Sequence, residues 1–266
     1  DILNLVGYHQ KPKLLVIKDL PIHEYLKLNS IINYELIYWL EVADMRGRVC
    51  EDLDEQLLWL DEFKNITHNE LNNTCRFETT LPSNSYVNLV GNYLINTGEV
   101  YSLEEASLKL YEKATKYSTV TILCGVSGSG KSTYIDKYLS NSVVISLDNL
   151  RSIIGKNSTD QSNNSEVLQV AHNMLKEALR SKKDVVWDAT SLRKEFREKV
   201  ITIAHNYGAL TKIVVVLSPL KSILNRNASR FDFVPALALE RQIDMFQFPD
   251  NTEAHILEYY MTKELK

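Results

Sequence analysis

GVSGSGKST, at residues 125–133, matches the phosphate-loop pattern G-x-x-x-x-G-K-[ST] in full. The apolar, β-branched run at 119–124 precedes it and predicts a buried strand, and residues 134–139 follow it with helical spacing. Strand, glycine loop and helix therefore occur in the order that this kind of loop needs. The pattern predicts a cradle in which backbone N–H groups and the positive end of a helix surround a triphosphate.

Each residue type in this loop has a predicted part in nucleotide binding. Lys131 would place a point charge at the β- and γ-phosphates, and the hydroxyl of Ser132 would hold Mg²⁺. The predicted nucleotide-binding residues are Gly125, Ser127, Gly128, Ser129, Gly130, Lys131, Ser132 and Thr133. A glycine-rich turn without a ligand is the alternative, but the complete motif and its flanks favour the cradle.

The composition is that of an ordinary globular protein of 266 residues, 44% of them hydrophobic and 24% charged. No run approaches the ~18 apolar residues of a membrane span, so no membrane partner is expected. Cys50, Cys75 and Cys124 stand far apart without C-x-x-C spacing, which argues against disulfides and zinc and favours a reducing cytoplasm. Because the chain begins at Asp1 rather than at a methionine, we expect it to start inside a longer protein or after processing.

Charge is shared unevenly between the two halves of the chain. Residues 1–118 carry 11 Lys and Arg against 18 Asp and Glu (net −7), whereas residues 119–266 carry 19 against 16 (net +3). The half with the phosphate loop is thus the more basic one. This asymmetry mildly favours a polyanionic partner there, although a solvated surface explains it almost as well.

The amino-terminal region, residues 1–72, is predicted to be a helical layer with a core of its own. Its clearest helix would place Leu36, Leu40 and Ala43 together on one apolar face.

Residues 73–118 are predicted to connect this layer to the rest of the chain. They contain one short helix, which Ser102 and Glu105 would open as a capping box.

From residue 119 to residue 266 the pattern changes to alternating strands and helices. The further predicted strands are nearly continuous β-branched runs at 143–147, 184–187 and 212–217. Such runs are typical of parallel strands covered on both faces. The fold class is therefore α/β, a doubly wound parallel sheet whose ligands bind beyond the carboxyl ends of the strands, preceded by the helical region.

Polar residues follow the second predicted strand. Asp148 lies at its carboxyl end and could act as a general base, taking the proton of an attacking hydroxyl. The alternative, that Asp148 caps the next helix, is equally favoured. Arg151, one helical turn on, could hold a substrate phosphate or could be an ordinary surface arginine.

The third and fourth strands are followed by further candidates. Asp188 could tune Mg²⁺ or orient a substrate and Thr190 could bind a phosphate, although both could also cap a helix. Arg226 and Arg230, four residues apart on one predicted helical face, suggest a lid that brings positive charge to the transferred phosphoryl group. A plain surface helix is the alternative for this pair.

Taken together, these residues resemble the bacteriophage and bacterial polynucleotide 5′-kinases. The matching pieces, in the same order, are GVSGSGKST at 125–133, ISLDNLR at 145–151, WDATSLRKEFR at 187–197 and NRNASRFDFVP at 225–235.

The resemblance implies a role for several of these residues. Lys131 and Ser132 would bind ATP and Mg²⁺, Asp148 would be the base for the 5′-hydroxyl, and Arg151 would bind the acceptor's phosphate. Arg230 would be the lid arginine. The third piece has Asp-Ala-Thr-Ser where the family often has an Asp-Thr-Asn type sequence; the match at Thr190 is good, and the departure leaves the role of Asp188 open.

A weaker resemblance links the amino-terminal region to the HD phosphohydrolase domains that precede such kinases in bacterial RNA-repair proteins. LVGYH at 5–9 and VADMRGR at 42–48 carry it. No His-Asp doublet occurs here, so we expect a partial or degenerate HD domain that acts as a helical support, unless the missing ligands lie upstream of Asp1.

The resulting hypothesis is an ATP- and Mg²⁺-dependent kinase of the 5′-hydroxyl ends of RNA or DNA, in end repair, with an RNA ligase as a partner in the same pathway. Two alternatives stay open: a kinase of a small acceptor such as a nucleoside or sugar, and a non-enzymatic nucleotide-driven switch or adaptor.

Overall fold

The structure is a computed structural model that describes residues 2–71, 86–110, 117–154, 164–229, 233–250 and 252–262. The chain divides into two compact units, residues 1–114 and residues 115–266.

The first unit is helical. Its helices are α1 (Ile2–Tyr8), α2 (Lys11–Ile17), α3 (Ile22–Ile31), α4 (Tyr34–Arg46), α5 (Leu53–Asn65) with a π-helical turn (Ile66–Leu71), α6 (Tyr86–Thr97) and α7 (Leu103–Leu110). The apolar faces of α2, α3, α4 and α5 meet in one core, around the fully buried Leu15, Ile37, Leu60 and Phe63. The predicted layer with its own core is therefore present.

The face that α4 buries differs from the predicted one. Leu36 is 58% exposed and Leu40 is 37% exposed, and Ala43 is also exposed. The buried face carries Ile37, Tyr38, Glu41, Val42 and Met45 instead. This face could not be recognised in the sequence, because the charged residue Glu41 lies at the centre of the face and interrupts its apolar pattern.

Both predicted capping side chains at the start of α7 are engaged, but Glu105 reaches one residue further back than in a standard capping box. The backbone N–H of Glu105 donates to Ser102 Oγ, and Glu105 Oε2 accepts from the backbone N–H of Tyr101. Residues 111–114, where the prediction continues the helix, lie outside the described residues. Helix α6, which packs against α3 and α7, was not predicted.

The second unit alternates strands and helices. Its strands are β1 (Thr119–Cys124), β2 (Val143–Ser146), β3 (Val185–Asp188), β4 (Leu210–Leu217) and β5 (Ile256–Met261). Its helices are α8 (Lys131–Tyr138), α9 (Leu147–Ile154), α10 (Asn164–Arg180), α11 (Lys194–Asn206), α12 (Leu220–Ala228) and α13 (Ala236–Asp244).

The five strands form one parallel sheet in the order β2-β3-β1-β4-β5. One face packs against α10 and α11, with Ile122, Ala171 and Val200 among its buried residues. The other face packs against α8, with Leu123 and Ile135 in contact there. Helices on both faces explain why β1, β3 and β4 are almost continuously apolar, and they confirm the doubly wound α/β fold.

Strand boundaries differ slightly from the predictions. β1 begins and ends where expected, β2 ends one residue early at Ser146, and β4 starts two residues early at Leu210. The edge strand β5 was not predicted, since its burial is only partial and it lacks a β-branched run.

Candidate functional site

The carboxyl ends of β1 and β4 define the crevice of the second unit. From β1 the chain crosses β3 to reach β2 on one side, whereas from β4 it passes to β5 on the other side. Connections that diverge from neighbouring strands leave an opening beyond the strand ends, which is where ligands bind in open α/β sheets. The loop between Cys124 and Lys131 lies at this opening.

The backbone of the phosphate loop needs its glycines. Gly128 has φ +81°, in the left-handed region, and Gly130, which caps α8, has φ +105°. At Gly125 a Cβ would lie 2.6 Å from the carbonyl oxygen of Val216 and 2.8 Å from Ser129 Oγ, so any side chain would push the loop away from β4. The loop is thus closely packed at its start and turns tightly before the helix.

The side chains of the loop fit a triphosphate. Lys131 Nζ bends back and donates to the carbonyl oxygens of Gly125, at 2.9 Å, and Val126, at 3.0 Å, which places its charge over the loop. Ser132 and Thr133 are exposed at the first turn of α8. Within the described part of the chain, the buried Ser129 Oγ has no hydrogen-bond partner. These donors, with the positive end of α8, could hold phosphate oxygens, and the Ser132 hydroxyl could hold Mg²⁺.

The neighbouring thiol is not a nucleophile. Burial raises the pKa of Cys124, at the end of β1, to about 11. The thiol therefore stays protonated next to the loop at neutral pH.

Two distant helices hold the phosphate loop. Arg226, on α12, donates through Nη1 to the carbonyl oxygen of Gly128 at 2.9 Å. Gln242, on α13, accepts through Oε1 from the backbone N–H of Ser127 at 2.8 Å. In this structure the Arg226 guanidinium therefore contacts the backbone of the loop.

The loop after β3 is tied to the same place. The carbonyl oxygen of Thr190 accepts from the backbone N–H of Gly125 at 2.9 Å. The next residue, Ser191, has φ +45°, a conformation that L residues rarely adopt. The half-buried Asp188 pairs with Ser146 in the sheet. Asp188 and Thr190 thus lie at the same edge as the phosphate loop.

A buried ion pair contacts the loop that follows β3. Arg197 is fully buried and donates to both carboxylate oxygens of Glu253. Its Nη1 donates to the carbonyl oxygens of Ser191 and Leu192, each at 3.0 Å. The pair therefore fixes the turn that carries the Thr190 carbonyl.

Asp148 and Arg151 form an ion pair at the carboxyl end of β2. Arg151 Nη1 lies 2.5 Å from Asp148 Oδ1, and the Asp148 side chain is 71% exposed while that of Arg151 is 17% exposed. α9 begins at Leu147, directly after β2, so Asp148 lies inside its first turn and is not its N-cap. Neighbouring strands are about 4.8 Å apart, so the end of β2 is about 10 Å from the phosphate loop after β1.

The predicted lid is described only in part. α12 ends at Ala228, and Arg230 lies outside the described residues, so the predicted helical face shared with Arg226 stays a prediction. On either side of that gap, the Asn227 side chain donates to the carbonyl oxygen of Val234 and accepts from its N–H, at 2.7 and 2.9 Å. The two ends of this segment are therefore held together.

In the first unit, the structure brings together the two segments that resemble an HD domain. His9 Nε2 lies 3.8 Å from Asp44 Oδ2, and Arg48 Nη2 lies 2.5 Å from the same oxygen. Among the described residues, no group of three or more His, Cys, Asp or Glu side chains could hold a metal ion. The HD domain therefore stays a prediction.

Two contacts at this site were not found from the sequence. Gln242 gave no signal, because glutamine is common on helix surfaces. The partnership of Arg197 with Glu253 spans 56 positions and joins two charged residues that each looked solvent-exposed. Neither local pattern nor motif spacing contains that information.

Comparison with known proteins agrees with this geometry. Residues 120–249 match a family model described as an AAA domain. The matched residues include the phosphate loop and most of the parallel sheet. A comparison with curated proteins finds no match. No helix in the described ranges has both the length and the apolar character that a membrane crossing requires.

Several solved structures are similar in part. A chain of a Pnkp1/Rnl/Hen1 complex is 21% identical with a TM-score of 0.39, and the alignment covers 45% of this chain and 45% of that chain. A putative kinase from Chloroflexus aurantiacus is 11% identical with a TM-score of 0.46, and the alignment covers 55% of this chain and 86% of that chain. The APS kinase CysC of Mycobacterium tuberculosis, in complex with AMPPNP and APS, is 19% identical with a TM-score of 0.38. That alignment covers 54% of this chain and 89% of that chain.

Proposed function

We propose that this protein transfers the γ-phosphate of ATP, with Mg²⁺, to the 5′-hydroxyl end of RNA or DNA. The observation that carries the proposal is the exposed Asp148 carboxylate, paired with Arg151 at the end of β2. β2 lies two strand spacings, about 10 Å, from β1 and its phosphate loop. A base at that distance leaves room for a phosphoryl group and an acceptor hydroxyl between the two. A nucleotide-binding switch would have no need of such a base.

In this proposal each side chain has one task. Lys131 and the loop N–H groups bind the triphosphate, and Ser132 holds Mg²⁺, which when bound neutralises charge on the phosphates. Asp148 accepts the proton of the acceptor hydroxyl, and Arg151 binds the acceptor's own phosphate. Catalysis is then mainly positioning and charge neutralisation.

The remaining residues have supporting roles. Thr190 and Asp188 line the edge between donor and acceptor, and Arg230 brings positive charge to the transferred group. Arg226 acts on the loop rather than on the phosphoryl group, since its guanidinium bonds to the Gly128 carbonyl. The more basic half of the chain, residues 119–266, suits a polyanionic acceptor. A 5′-phosphorylated end is a substrate for ligation, so an RNA ligase is the proposed partner.

The test is label transfer. The protein is incubated with γ-labelled ATP, Mg²⁺ and 5′-hydroxyl oligonucleotides of RNA and of DNA, with Lys131→Ala as the inactive control. Label on the 5′ end of either oligonucleotide supports the proposal. Label on nucleosides or sugars alone would favour a small-molecule kinase, and ATP turnover with no labelled acceptor would favour a switch.

A further inference from the structure

The phosphate loop is held at two consecutive residues from two different helices. The N–H of Ser127 donates to Gln242 Oε1 at 2.8 Å, and the carbonyl oxygen of Gly128 accepts from Arg226 Nη1 at 2.9 Å. Gly128 is also one of the two loop glycines that have a positive φ. The middle of the loop is therefore held through a backbone N–H by α13 and through a backbone carbonyl by α12.

The Arg226 guanidinium, which contacts Gly128, is itself held by other side chains. Arg226 Nη2 also donates to Ser218 Oγ at 2.7 Å and to Thr262 Oγ1 at 3.1 Å, so both ends of the guanidinium fork are engaged. The planar fork then has one orientation towards the loop.

The helix that carries Gln242 is likewise anchored. Leu239, one turn earlier on α13, is 2% exposed and packs with Val126, Leu192 and Ile223. Just after α13, the N–H of Gln247 donates to the carbonyl oxygen of Leu192 at 2.9 Å. Because α13 packs against Val126 of the loop, the position of the Gln242 amide next to Ser127 is fixed by the packing of the helix.

We propose that Gln242 is a positioning residue for nucleotide binding: its neutral amide oxygen holds Ser127 so that the loop has its phosphate-binding shape before the nucleotide arrives. The inference rests on the nucleotide-binding part of the proposed function and is independent of the acceptor. Pre-organisation of this kind lowers the ordering cost that binding would otherwise carry.

The neutrality of the amide is part of the inference. A carboxylate of the same length could accept the same hydrogen bond, but its charge would repel the triphosphate. Glutamine supplies the acceptor without that repulsion. Gln242→Glu and Gln242→Leu therefore separate two effects, since the first keeps an acceptor and adds charge, and the second removes the acceptor at similar size.

Two measurements test the proposal. The affinity for MgATP is measured by calorimetry at low and high salt, and the Ser127 amide is followed by NMR hydrogen exchange without nucleotide. We expect Gln242→Leu to weaken MgATP binding about 3- to 10-fold at either salt, as for one lost hydrogen bond, and to speed exchange of the Ser127 amide. For Gln242→Glu we expect a protected amide and a loss of affinity that grows as salt is lowered.

The matched control is Glu240→Gln, at an exposed position of the same helix, which should leave both measurements unchanged. Wild-type affinity and exchange in Gln242→Leu would overturn the proposal. If Gln242→Leu does not fold, Gln242→Glu decides: equal affinity at low salt overturns the proposal, and a salt-dependent loss supports it.

The two proposals fail in different ways. A wild-type protein that binds MgATP but labels no 5′-hydroxyl end contradicts the proposed acceptor and leaves the Gln242 titrations fully informative. A wild-type protein that binds no MgATP overturns the inference on Gln242 as well.

Discussion

Arg197 meets Glu253 in a two-pronged ion pair, Nε to Oε2 at 2.8 Å and Nη2 to Oε1 at 2.9 Å, with side chains 0% and 4% exposed. Such a pair offsets its own desolvation only when every remaining donor is also used. Here Nη1 donates to the Ser191 and Leu192 carbonyls, so four of the five guanidinium N–H groups have oxygen acceptors. The pair therefore fixes the loop that touches the start of the phosphate loop.

Arg197→Met should lower the free energy of unfolding of the second unit by about 3–5 kcal/mol, because it leaves the Glu253 carboxylate buried and unpaired. Urea denaturation followed by Trp187 fluorescence, with Trp39→Phe and Trp59→Phe in the background, measures this unit.

The control is the double variant Arg197→Met with Glu253→Leu. It should recover part of the loss, since no unpaired charge remains, although the Ser191 and Leu192 carbonyls still lack their donor. A double variant as unstable as the sum of both single variants would show that the pair is not coupled.

Lys131→Ala should reduce phosphoryl transfer by about 10²–10³-fold, because it removes the charge over the loop while no core depends on the side chain. The unfolding free energy should fall by only about 1 kcal/mol, for the lost contacts to Gly125 and Val126. Lys137→Ala, on the exposed side of the same helix, is the matched control. Turnover equal to wild type would remove Lys131 from the site.

Asp148→Asn should slow transfer to a 5′-hydroxyl end by roughly 10²–10⁴-fold, because the amide cannot take the proton. Affinity for ATP and the melting temperature should stay close to wild type, since the side chain is exposed and caps no helix. Single-turnover kinetics measure the rate, with Asp136→Asn, exposed on α8, as the charge control. If the rate is unchanged, the base lies elsewhere, and Asp188 is the next candidate.

The first unit should lose stability as pH rises. Burial raises the pKa of Glu41 from 4.5 to about 7, against the opposing charges of Lys13 and His9. Between these two values the folded unit binds a proton that the unfolded chain has released, so the unfolding free energy falls by about 3 kcal/mol across the window. Hydrogen exchange of α4 and α5 at pH 5 and pH 8 measures this, and Glu41→Gln should flatten the difference. If the stability of wild type and that of Glu41→Gln change equally between pH 5 and pH 8, Glu41 is not the cause.

The second unit should respond to acid instead. Burial, and next the neighbouring charge of His205, lower the pKa of His255 from 6.5 to about 3, while its Nδ1 accepts from the N–H of Thr211. Between those values the unfolded chain binds a proton that the folded unit does not, so stability falls by about 1.4 kcal/mol for each pH unit below 6.5. His255→Asn, which can keep the acceptor, should reduce that slope in urea titrations followed by Trp187 fluorescence. A slope unchanged in this variant would exclude His255.

Elements with strong local patterns could be predicted from the sequence. β1 and the capping box at Ser102 were found at their true positions, because β-branched runs and capping side chains act within a few residues. The order of strand, glycine loop and helix was likewise predicted correctly for residues 119–138.

Features that depend on distant partners could not be predicted. The apolar side chains of Leu36 and Leu40 suggested one face of α4, but packing against α5 buried the face with Glu41 instead. The contact of Gln242 with Ser127 joins positions 115 apart, and no local rule connects them. Tertiary contacts decided these positions against local preference.

The distance in sequence between the phosphate loop and the two residues that contact it, Arg226 and Gln242, also matters during translation. Arg226 and Gln242 lie 98 and 115 positions after the loop residues that they contact. At the ~5–20 residues per second of translation, roughly 5 to 25 seconds pass between the appearance of the loop and that of Gln242. During that interval the nascent chain carries the phosphate loop without these two supports, so we expect the loop to reach its final shape only after α12 and α13 have been made.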